Sequence, residues 1–145
     1  MATELLFFDT SALVKRYYEE TGTETVDELV ENDHRVVITS LTVIETVSAF
    51  RRKYNRGEIR ENAVDALLAA FFREALDDFL ILPMDESIHQ FSFGLILEDN
   101  LRTLDSLQLS AALSVQTPET DVVFVCADAD LVSVAHSRAL DTVTP

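Results

Sequence analysis

The sequence predicts a three-layer α/β/α fold, with a central parallel sheet of about five strands between two layers of helices. Short apolar runs alternate along the chain with longer segments whose apolar residues recur at helical spacing. Glycine and proline number only three each, too few for an all-β fold rich in tight turns. With 145 residues, the chain is expected to form one domain spanning residues 1–145.

The predicted strands are short runs dominated by Val, Ile, Leu and Phe. Runs that are apolar at nearly every position are typical of parallel strands covered by helices on both faces. In chain order they comprise residues 5–8, 36–39, 79–82, 122–126 and 140–143. Because helical patterns separate them, the connections are expected to be right-handed crossovers that leave the strands parallel.

The predicted helices have recognisable start and stop signals. The second follows Gly22, and the third stops near Asn55 and Gly57. The fifth follows Pro83, and the sixth ends before Pro118. In the fourth, apolar residues recur at close to the helical period of about 3.6 residues. In chain order the helices comprise residues 11–19, 23–32, 42–54, 58–77, 85–97, 106–115 and 129–137.

The net charge of −15 reflects 26 acidic residues against 11 basic ones. Such an acidic chain suits either a high-salt cytoplasm, which screens the repulsion, or a basic partner. Taken alone, the charge argues against nucleic-acid binding. Several basic residues nevertheless cluster at and just after the end of the third helix, where they form either an RNA-contacting surface or a solvated helix face. The candidates for RNA contact are Arg51, Arg52, Lys53 and Arg56.

The chain has the features of a soluble cytoplasmic protein. Cys126 is its only cysteine, which excludes an internal disulfide framework and fits a reducing compartment. No apolar run approaches the roughly 18 residues that a membrane helix needs. A basic region followed by an apolar stretch, as in a secretory signal, is absent from the start of the sequence. We therefore expect no membrane partner.

Four acidic residues occupy similar places relative to the predicted elements. Asp9 follows the first strand, Glu45 lies just beyond the second, Asp105 opens a helix and Asp128 follows the fourth strand. The carboxyl ends of parallel strands meet at one edge of a sheet, where ligands bind near a topological switch point. Asp9 and Asp128 are therefore expected to lie close together, with Glu45 and Asp105 reaching in from adjoining helices.

Each of these positions also has a purely structural explanation. Aspartate is a favoured helix N-cap, because its side chain accepts hydrogen bonds from the unpaired amides of the first turn. Asp9, Asp105 and Asp128 all suit that role. Asp105 also has capping-box spacing with Gln108. Considered alone, each position therefore fits either a capping role or a ligand-binding role.

A cluster of all four carboxylates would favour a metal site. Carboxylates brought together repel one another, so at least one takes up a proton unless a cation is present. Mg²⁺ prefers oxygen ligands and keeps several of its waters. Such a site can polarise a phosphoryl oxygen and activate a water, which points to metal-assisted phosphodiester hydrolysis. One metal ion or two would fit, with Glu45 and Asp128 binding directly or through water.

Four stretches together resemble the PIN-domain family, and VapC-type toxins of toxin–antitoxin pairs in particular. They are FFDTSALVKRYYEETGTE, ITSLTVIETVSAFRR, LRTLDSLQLSAAL and VVFVCADADLVSVA. The resemblance implies a PIN-like parallel sheet flanked by helices and an endoribonuclease that uses Mg²⁺ or Mn²⁺. It also implies a homodimer and a cognate VapB-like antitoxin, whose arginine approaches the carboxylates.

By motif position, the resemblance implies that the same four carboxylates bind the metal and catalyse cleavage. These residues are Asp9, Glu45, Asp105 and Asp128. Thr10 or Ser11 would orient Asp9 or a water at the metal.

The chain departs from the family pattern at two places. Cys126 stands where the family usually has Thr or Ser, and a thiol is a weaker hydrogen-bond donor than a hydroxyl. Asp130, two residues after Asp128, is either a substitute ligand or a further acidic surface residue.

Two other function classes compete with a ribonuclease. The first is a catalytically weak PIN-like binding module that serves a protein partner, which the presence of all four carboxylates disfavours. The second is a phosphatase with an aspartyl nucleophile after its first strand. That class needs a second aspartate two residues on, where this chain has Ser11.

Overall fold

A five-stranded, all-parallel sheet forms the centre of the protein in the computed structural model, which describes residues 3–32 and 35–145. Each strand lies within two residues of its predicted bounds, so the apolar runs located the sheet correctly. The strands are β1 (Thr3–Phe8), β2 (Arg35–Thr39), β3 (Leu80–Leu82), β4 (Thr120–Val125) and β5 (Asp141–Val143).

The order of the strands in the sheet is β3-β2-β1-β4-β5. From β1 the chain first builds outwards through β2 and β3, and it then returns to place β4 on the other side of β1. The topological switch point therefore lies between β1 and β4, and ligands in open α/β sheets bind at the carboxyl ends of the strands there. This confirms the expectation that the strands preceding Asp9 and Asp128 are neighbours.

Seven α-helices flank the sheet within the described residues. The first is much shorter than predicted, because the chain passes into a 3₁₀ turn at Val14–Arg16 instead of continuing to residue 19. The sixth begins three residues earlier than predicted, at Thr103. The helices are α1 (Thr10–Leu13), α2 (Thr23–Glu31), α3 (Ser40–Asn55), α4 (Glu61–Asp78), α5 (Glu86–Asp99), α6 (Thr103–Val115) and α7 (Ala129–Ser137).

Alternate residues of β1 point into two separate cores, as the two-residue period of a strand requires. Phe7 packs with α5, α6 and α7, and its ring stacks on that of Phe124 at a centroid distance of 5.9 Å. Phe8 packs on the opposite face with α1 to α4, where Phe50 and Phe71 are fully buried. Because β1 is covered on both faces, its carboxyl end is held rigidly, and Asp9 follows it directly.

On the face of the sheet that α1 to α4 cover, one arginine links α2 to α4. Arg16 forms ion pairs with Asp27 at 2.9 Å, Glu31 at 3.0 Å and Glu74 at 2.9 Å. The Tyr17 hydroxyl also donates to Glu74 Oε1, at 2.8 Å. We call these five residues the Arg16 cluster.

No helix in the described part of the chain has the length and apolar character needed to cross a membrane.

Candidate functional site

Asp9 is the N-cap of α1, at the carboxyl end of β1, and only 7% of its surface is exposed. Its Oδ2 accepts hydrogen bonds from the Ser11 amide at 3.2 Å and the Ser11 hydroxyl at 2.6 Å. The Ser11 hydroxyl in turn accepts from the Ala127 amide at 3.0 Å, which links α1 to the segment after β4. Ser11 therefore binds Asp9 through both its amide and its hydroxyl.

Cys126 contributes to the same network, although a thiol is a weak donor. Its Sγ lies 3.6 Å from Asp9 Oδ2 and 3.6 Å from the Ser11 hydroxyl, and it accepts from the Asp128 amide at 3.4 Å. The residue follows β4 directly and is fully buried. Burial, together with the charge of Asp9, raises the pKa of the Cys126 thiol to about 12.

Asp128 is the N-cap of α7, and its Oδ1 accepts from the amides of Asp130 and Leu131. Asp128 is exposed and borders the cleft described below. Asp130 is also exposed but does not line that cleft, so its position favours the surface interpretation over a role as substitute ligand.

Glu45 projects from α3 and is held by donors from two other helices. Its Oε1 accepts from the Thr10 hydroxyl at 3.0 Å and from Gln108 Nε2 at 2.9 Å. Thr10 thus supports Glu45 and not Asp9. Burial raises the pKa of Glu45, as does the charge of Asp9, and this outweighs the opposing effects of Gln108, Thr10 and Arg52.

Asp105 is not the N-cap of α6, so the capping-box interpretation is wrong. The N-cap is Arg102, which makes no side-chain capping bond, and Asp105 is the third residue of the helix. Gln108 turns away from Asp105 and bonds with α3 instead. Asp105 receives no hydrogen bond from any described residue. Burial raises its pKa, and the charges of Asp9, Asp128 and Glu45 raise it further.

All four predicted carboxylates line one cleft of about 230 Å³ at the carboxyl end of the sheet. The cleft lies at the switch point between β1 and β4, as expected. Besides the carboxylates, its lining comprises Thr10, Ser11, Val14, Ala49 and Arg52. Arg52 is the one basic residue among these, so the carboxylates outnumber the cations in the cleft.

Hydrogen bonding divides the carboxylate oxygens into two groups. Three of the carboxylates accept all their hydrogen bonds from described residues on one oxygen only. These oxygens are Asp9 Oδ2, Glu45 Oε1 and Asp128 Oδ1. The other oxygen of each, and both oxygens of Asp105, receive no donor within the described residues. One oxygen thus fixes each side chain, and the second is available to a ligand.

This donor set fits a hard divalent cation. It consists of carboxylate oxygens, which Mg²⁺ prefers, and a cation would relieve the repulsion that raises the pKa of Asp105. In residues 3–32 and 35–145, no three or more Asp, Glu, His or Cys side chains are arranged to hold a metal ion as they stand. Mg²⁺ is commonly held by one or two carboxylates and several waters, so a closed cage is not required.

Of the four residues predicted to contact RNA, three are exposed and one is engaged in ion pairs. Arg52 borders the cleft and is held by the Ser48 hydroxyl at 2.9 Å. Arg51 and Arg56 are exposed, and the Arg51 guanidinium lies 4.5 Å from the ring centroid of Tyr54. Lys53 instead pairs with Glu20 and Glu58, each at 3.7 Å. Lys53 is therefore committed to internal contacts, and the three arginines are accessible.

Nothing in the sequence indicated that Gln108 would bind Glu45 at this site. Its side chain is 1% exposed and contacts Glu45, yet the two positions are far apart in sequence. A glutamine within an apolar helix pattern gives no local signal of such a contact.

The fold and the cleft define an α/β protein with an acidic site at the switch point of a parallel sheet. The sequence profile of the PIN domain matches residues 6–137, and the chain belongs to the PIN-domain family. PIN domains are typically metal-dependent nucleases that use divalent ions. No curated protein matches the sequence significantly.

Solved structures with the same fold include toxins and toxin–antitoxin complexes. A toxin–antitoxin complex from Klebsiella pneumoniae is 18% identical, with a TM-score of 0.67 and 97% of each chain covered. FitAcB from Neisseria gonorrhoeae is 14% identical, with a TM-score of 0.71 and 97% of each chain covered. VapC20 from Mycobacterium tuberculosis, a sarcin-ricin loop cleaving toxin, is 14% identical, with a TM-score of 0.68 and coverage of 97% of this chain and 99% of that one. At these identities the likeness shows the shared fold.

Proposed function

We propose that this protein is a Mg²⁺-dependent endoribonuclease that acts as the toxin of a VapBC-like toxin–antitoxin pair. The observation that carries the proposal is the group of four carboxylates in one cleft, each with at least one oxygen that receives no donor within the described residues. Membership of a family of metal-dependent nucleases supports the same chemistry. The likeness to VapC20, a sarcin-ricin loop cleaving toxin, supports the toxin role.

In this proposal Asp9, Glu45, Asp105 and Asp128 hold Mg²⁺ or Mn²⁺. A divalent cation bound among them would activate a water for attack on the phosphodiester and offset the charge that develops on the phosphate. Arg52, the basic residue of the cleft lining, would contact a backbone phosphate.

The arginines of α3 offer an RNA path across an otherwise acidic surface. Arg51, on the same helix as Arg52, and Arg56, which follows the last residue of that helix, are both exposed and would extend the contact beyond the cleft. Cleavage of this kind would take place in the cytoplasm.

The proposed partners are a cognate antitoxin and a second copy of the chain. The acidic cleft suits an antitoxin arginine, which would supply the positive charge that the site lacks. Two aromatic residues of α5, Phe91 and Phe93, are exposed, and aromatic side chains of this kind are enriched at protein interfaces. The likeness to a toxin–antitoxin complex supports this assignment.

The test is cleavage of a structured RNA by the purified protein in Mg²⁺, Mn²⁺ or EDTA, alongside Asp9→Asn. Asparagine keeps an oxygen that can cap α1, so this change removes the charge with little loss of helix stability. The matched control is Asp130→Asn, which removes an exposed carboxylate outside the cleft. We expect metal-dependent cutting that is lost in Asp9→Asn and retained in Asp130→Asn.

Two outcomes would count against the proposal. Cutting that persists unchanged in Asp9→Asn and in EDTA would show that the assigned site is wrong. If the wild type binds a partner protein but never cuts RNA with either metal, the chain is a PIN-like binding module.

A further inference from the structure

Four side chains at the junction of β2, α3 and α6 form a buried hydrogen-bond network. Thr39, Thr42 and Gln108 are each at most 1% exposed, and the network ends at Glu45 in the cleft. Thr39 is the N-cap of α3 and accepts from the Thr42 amide at 3.0 Å. The network therefore ties the start of α3 to the helix that carries Asp105.

The hydrogens of this network can be assigned by counting donors. The Thr39 hydroxyl donates to Gln108 Oε1 at 3.2 Å, and Gln108 Nε2 donates to the Thr42 hydroxyl at 2.6 Å. The hydroxyls of Thr39 and Thr42 are 3.1 Å apart, so the Thr42 hydroxyl completes a ring by donating to Thr39. One hydrogen of the Gln108 amide remains, and it points to Glu45 Oε1 at 2.9 Å.

The hydrogen bonds of Gln108 determine the orientation of its side-chain amide. Were the amide reversed, its carbonyl oxygen would face Glu45 Oε1 at 2.9 Å, and two acceptor oxygens would stand against each other with no hydrogen between them. Glu45 Oε1 must therefore act as an acceptor, and Oε2 is left without a donor among the described residues. Thr10 donates to the same Oε1 from the other side, at 3.0 Å.

We propose that Gln108 is a positioning residue for the metal site: through its ring with Thr39 and Thr42 it holds Glu45 with Oε2 available to a divalent cation. This inference rests on the proposed function, because it assigns Glu45 to the metal. Groups that orient metal ligands typically change affinity or activity by about 10–100-fold when they are removed.

The test is Mn²⁺ binding, followed by electron paramagnetic resonance, in the wild type and in Gln108→Met. Methionine approximates the length of glutamine but cannot donate to Glu45. The matched control is Ser110→Ala, on the same helix, which removes an equally buried hydrogen bond to the Ile88 carbonyl, at 2.7 Å and away from the cleft. We expect Mn²⁺ affinity to fall about 10–100-fold in Gln108→Met and to stay unchanged in Ser110→Ala.

RNA cleavage supplies a second measurement, which distinguishes positioning from a general loss of structure. If Gln108 acts through metal affinity, raising the Mn²⁺ concentration restores cleavage by Gln108→Met towards the wild-type rate. Should Gln108→Met fold poorly, Thr42→Val and Thr42→Ser replace it. Valine removes the hydroxyl that closes the ring and should weaken Mn²⁺ binding, whereas serine keeps the hydroxyl and should restore it.

The outcomes separate this inference from the proposed function. If the wild type binds Mn²⁺ and Gln108→Met binds it equally well, the positioning role of Gln108 is wrong, and the proposed metal site is unaffected. If the wild type does not bind Mn²⁺ at all, the proposed metal site is wrong and the role of Gln108 falls with it. Equal weakening in Gln108→Met and Ser110→Ala would show a general effect of perturbing α6, and it too would overturn the inference.

Discussion

The Arg16 cluster and the cleft each bring several carboxylates together, and they differ in whether those carboxylates are paired with a cation. In the Arg16 cluster three carboxylates surround one guanidinium, and each is paired with it. In the cleft four carboxylates share a lining with a single arginine, Arg52, which forms no ion pair there within the described residues. Every carboxylate of the Arg16 cluster lies within ion-pair distance of a cation, whereas no carboxylate of the cleft does within the described residues.

One carboxylate from each group, Glu74 and Asp105, has a pKa that is shifted in the opposite direction from the other. Burial raises the pKa of Glu74, but hydrogen bonds from Arg16 and Tyr17 outweigh it and hold the pKa below its ordinary value. Burial raises the pKa of Asp105 too, and there the neighbouring carboxylates add to the effect. The Arg16 cluster therefore stabilises the fold, while the cleft stores repulsion that a cation from solution would relieve.

The largest effect is expected from Asp105→Asn in the cleft. Under the proposed function Asp105 is a metal ligand, and its removal should lower Mg²⁺-dependent cleavage by more than about 100-fold, since residues that only orient ligands cost about 10–100-fold. The melting temperature in EDTA should not fall, because Asp105 has no hydrogen bond to lose and is repelled by its neighbours. Cleavage kinetics and thermal denaturation measure the two effects, and a large drop in melting temperature would contradict the comparison.

Metal addition should stabilise the protein through the cleft alone. At a Mn²⁺ concentration about 100 times Kd, the free energy of unfolding should rise by about 2.7 kcal/mol, which EDTA reverses. Asp105→Asn should lose most of this gain, whereas Arg16→Met should retain it. Thermal denaturation with and without Mn²⁺ is the measurement, and an equal gain in all three proteins would place the metal elsewhere.

Arg16→Met should break the Arg16 cluster. Removing one partner of a buried ion pair typically costs about 3–5 kcal/mol, and the partial exposure of Arg16 lowers our expectation to about 2 kcal/mol. Urea denaturation in EDTA measures the loss. The matched control is Arg73→Met, which removes an exposed arginine of α4 and should change stability by less than about 0.5 kcal/mol.

The smallest expected effect is the pH dependence of Glu74. Because its pKa is depressed in the folded state, its contribution is complete above the ordinary value of 4.5 and is lost as the pH falls through the folded value. Glu74→Gln should therefore be less stable than wild type by about 1 kcal/mol at pH 7, and the difference should shrink below about pH 4.5. Asp65→Asn, an exposed change on the same helix, should show no such convergence in urea denaturation across pH.

The sequence located the sheet and the four carboxylates because both depend on local patterns. Apolar runs mark strands that are buried on both faces, and the order of the strands brings Asp9 and Asp128 to one edge. The predicted start of α6 was wrong because Asp105 and Ser106 have a high local preference for the N-cap, whereas the observed helix already begins at Thr103. The contact between Gln108 and Glu45 could not be predicted, because it depends on how α3 and α6 pack across the end of the sheet.

The lone cysteine gives this protein a chemical reporter of local opening. Thiolate, not thiol, is the species that alkylating reagents and oxidants attack, and a pKa of about 12 leaves Cys126 almost wholly protonated at neutral pH. Its side chain is also fully buried where β4 ends beside Asp9. Iodoacetamide should therefore label the native protein only when that edge of the sheet opens, so the labelling rate, compared with that of the unfolded chain, measures the population of open states at the cleft.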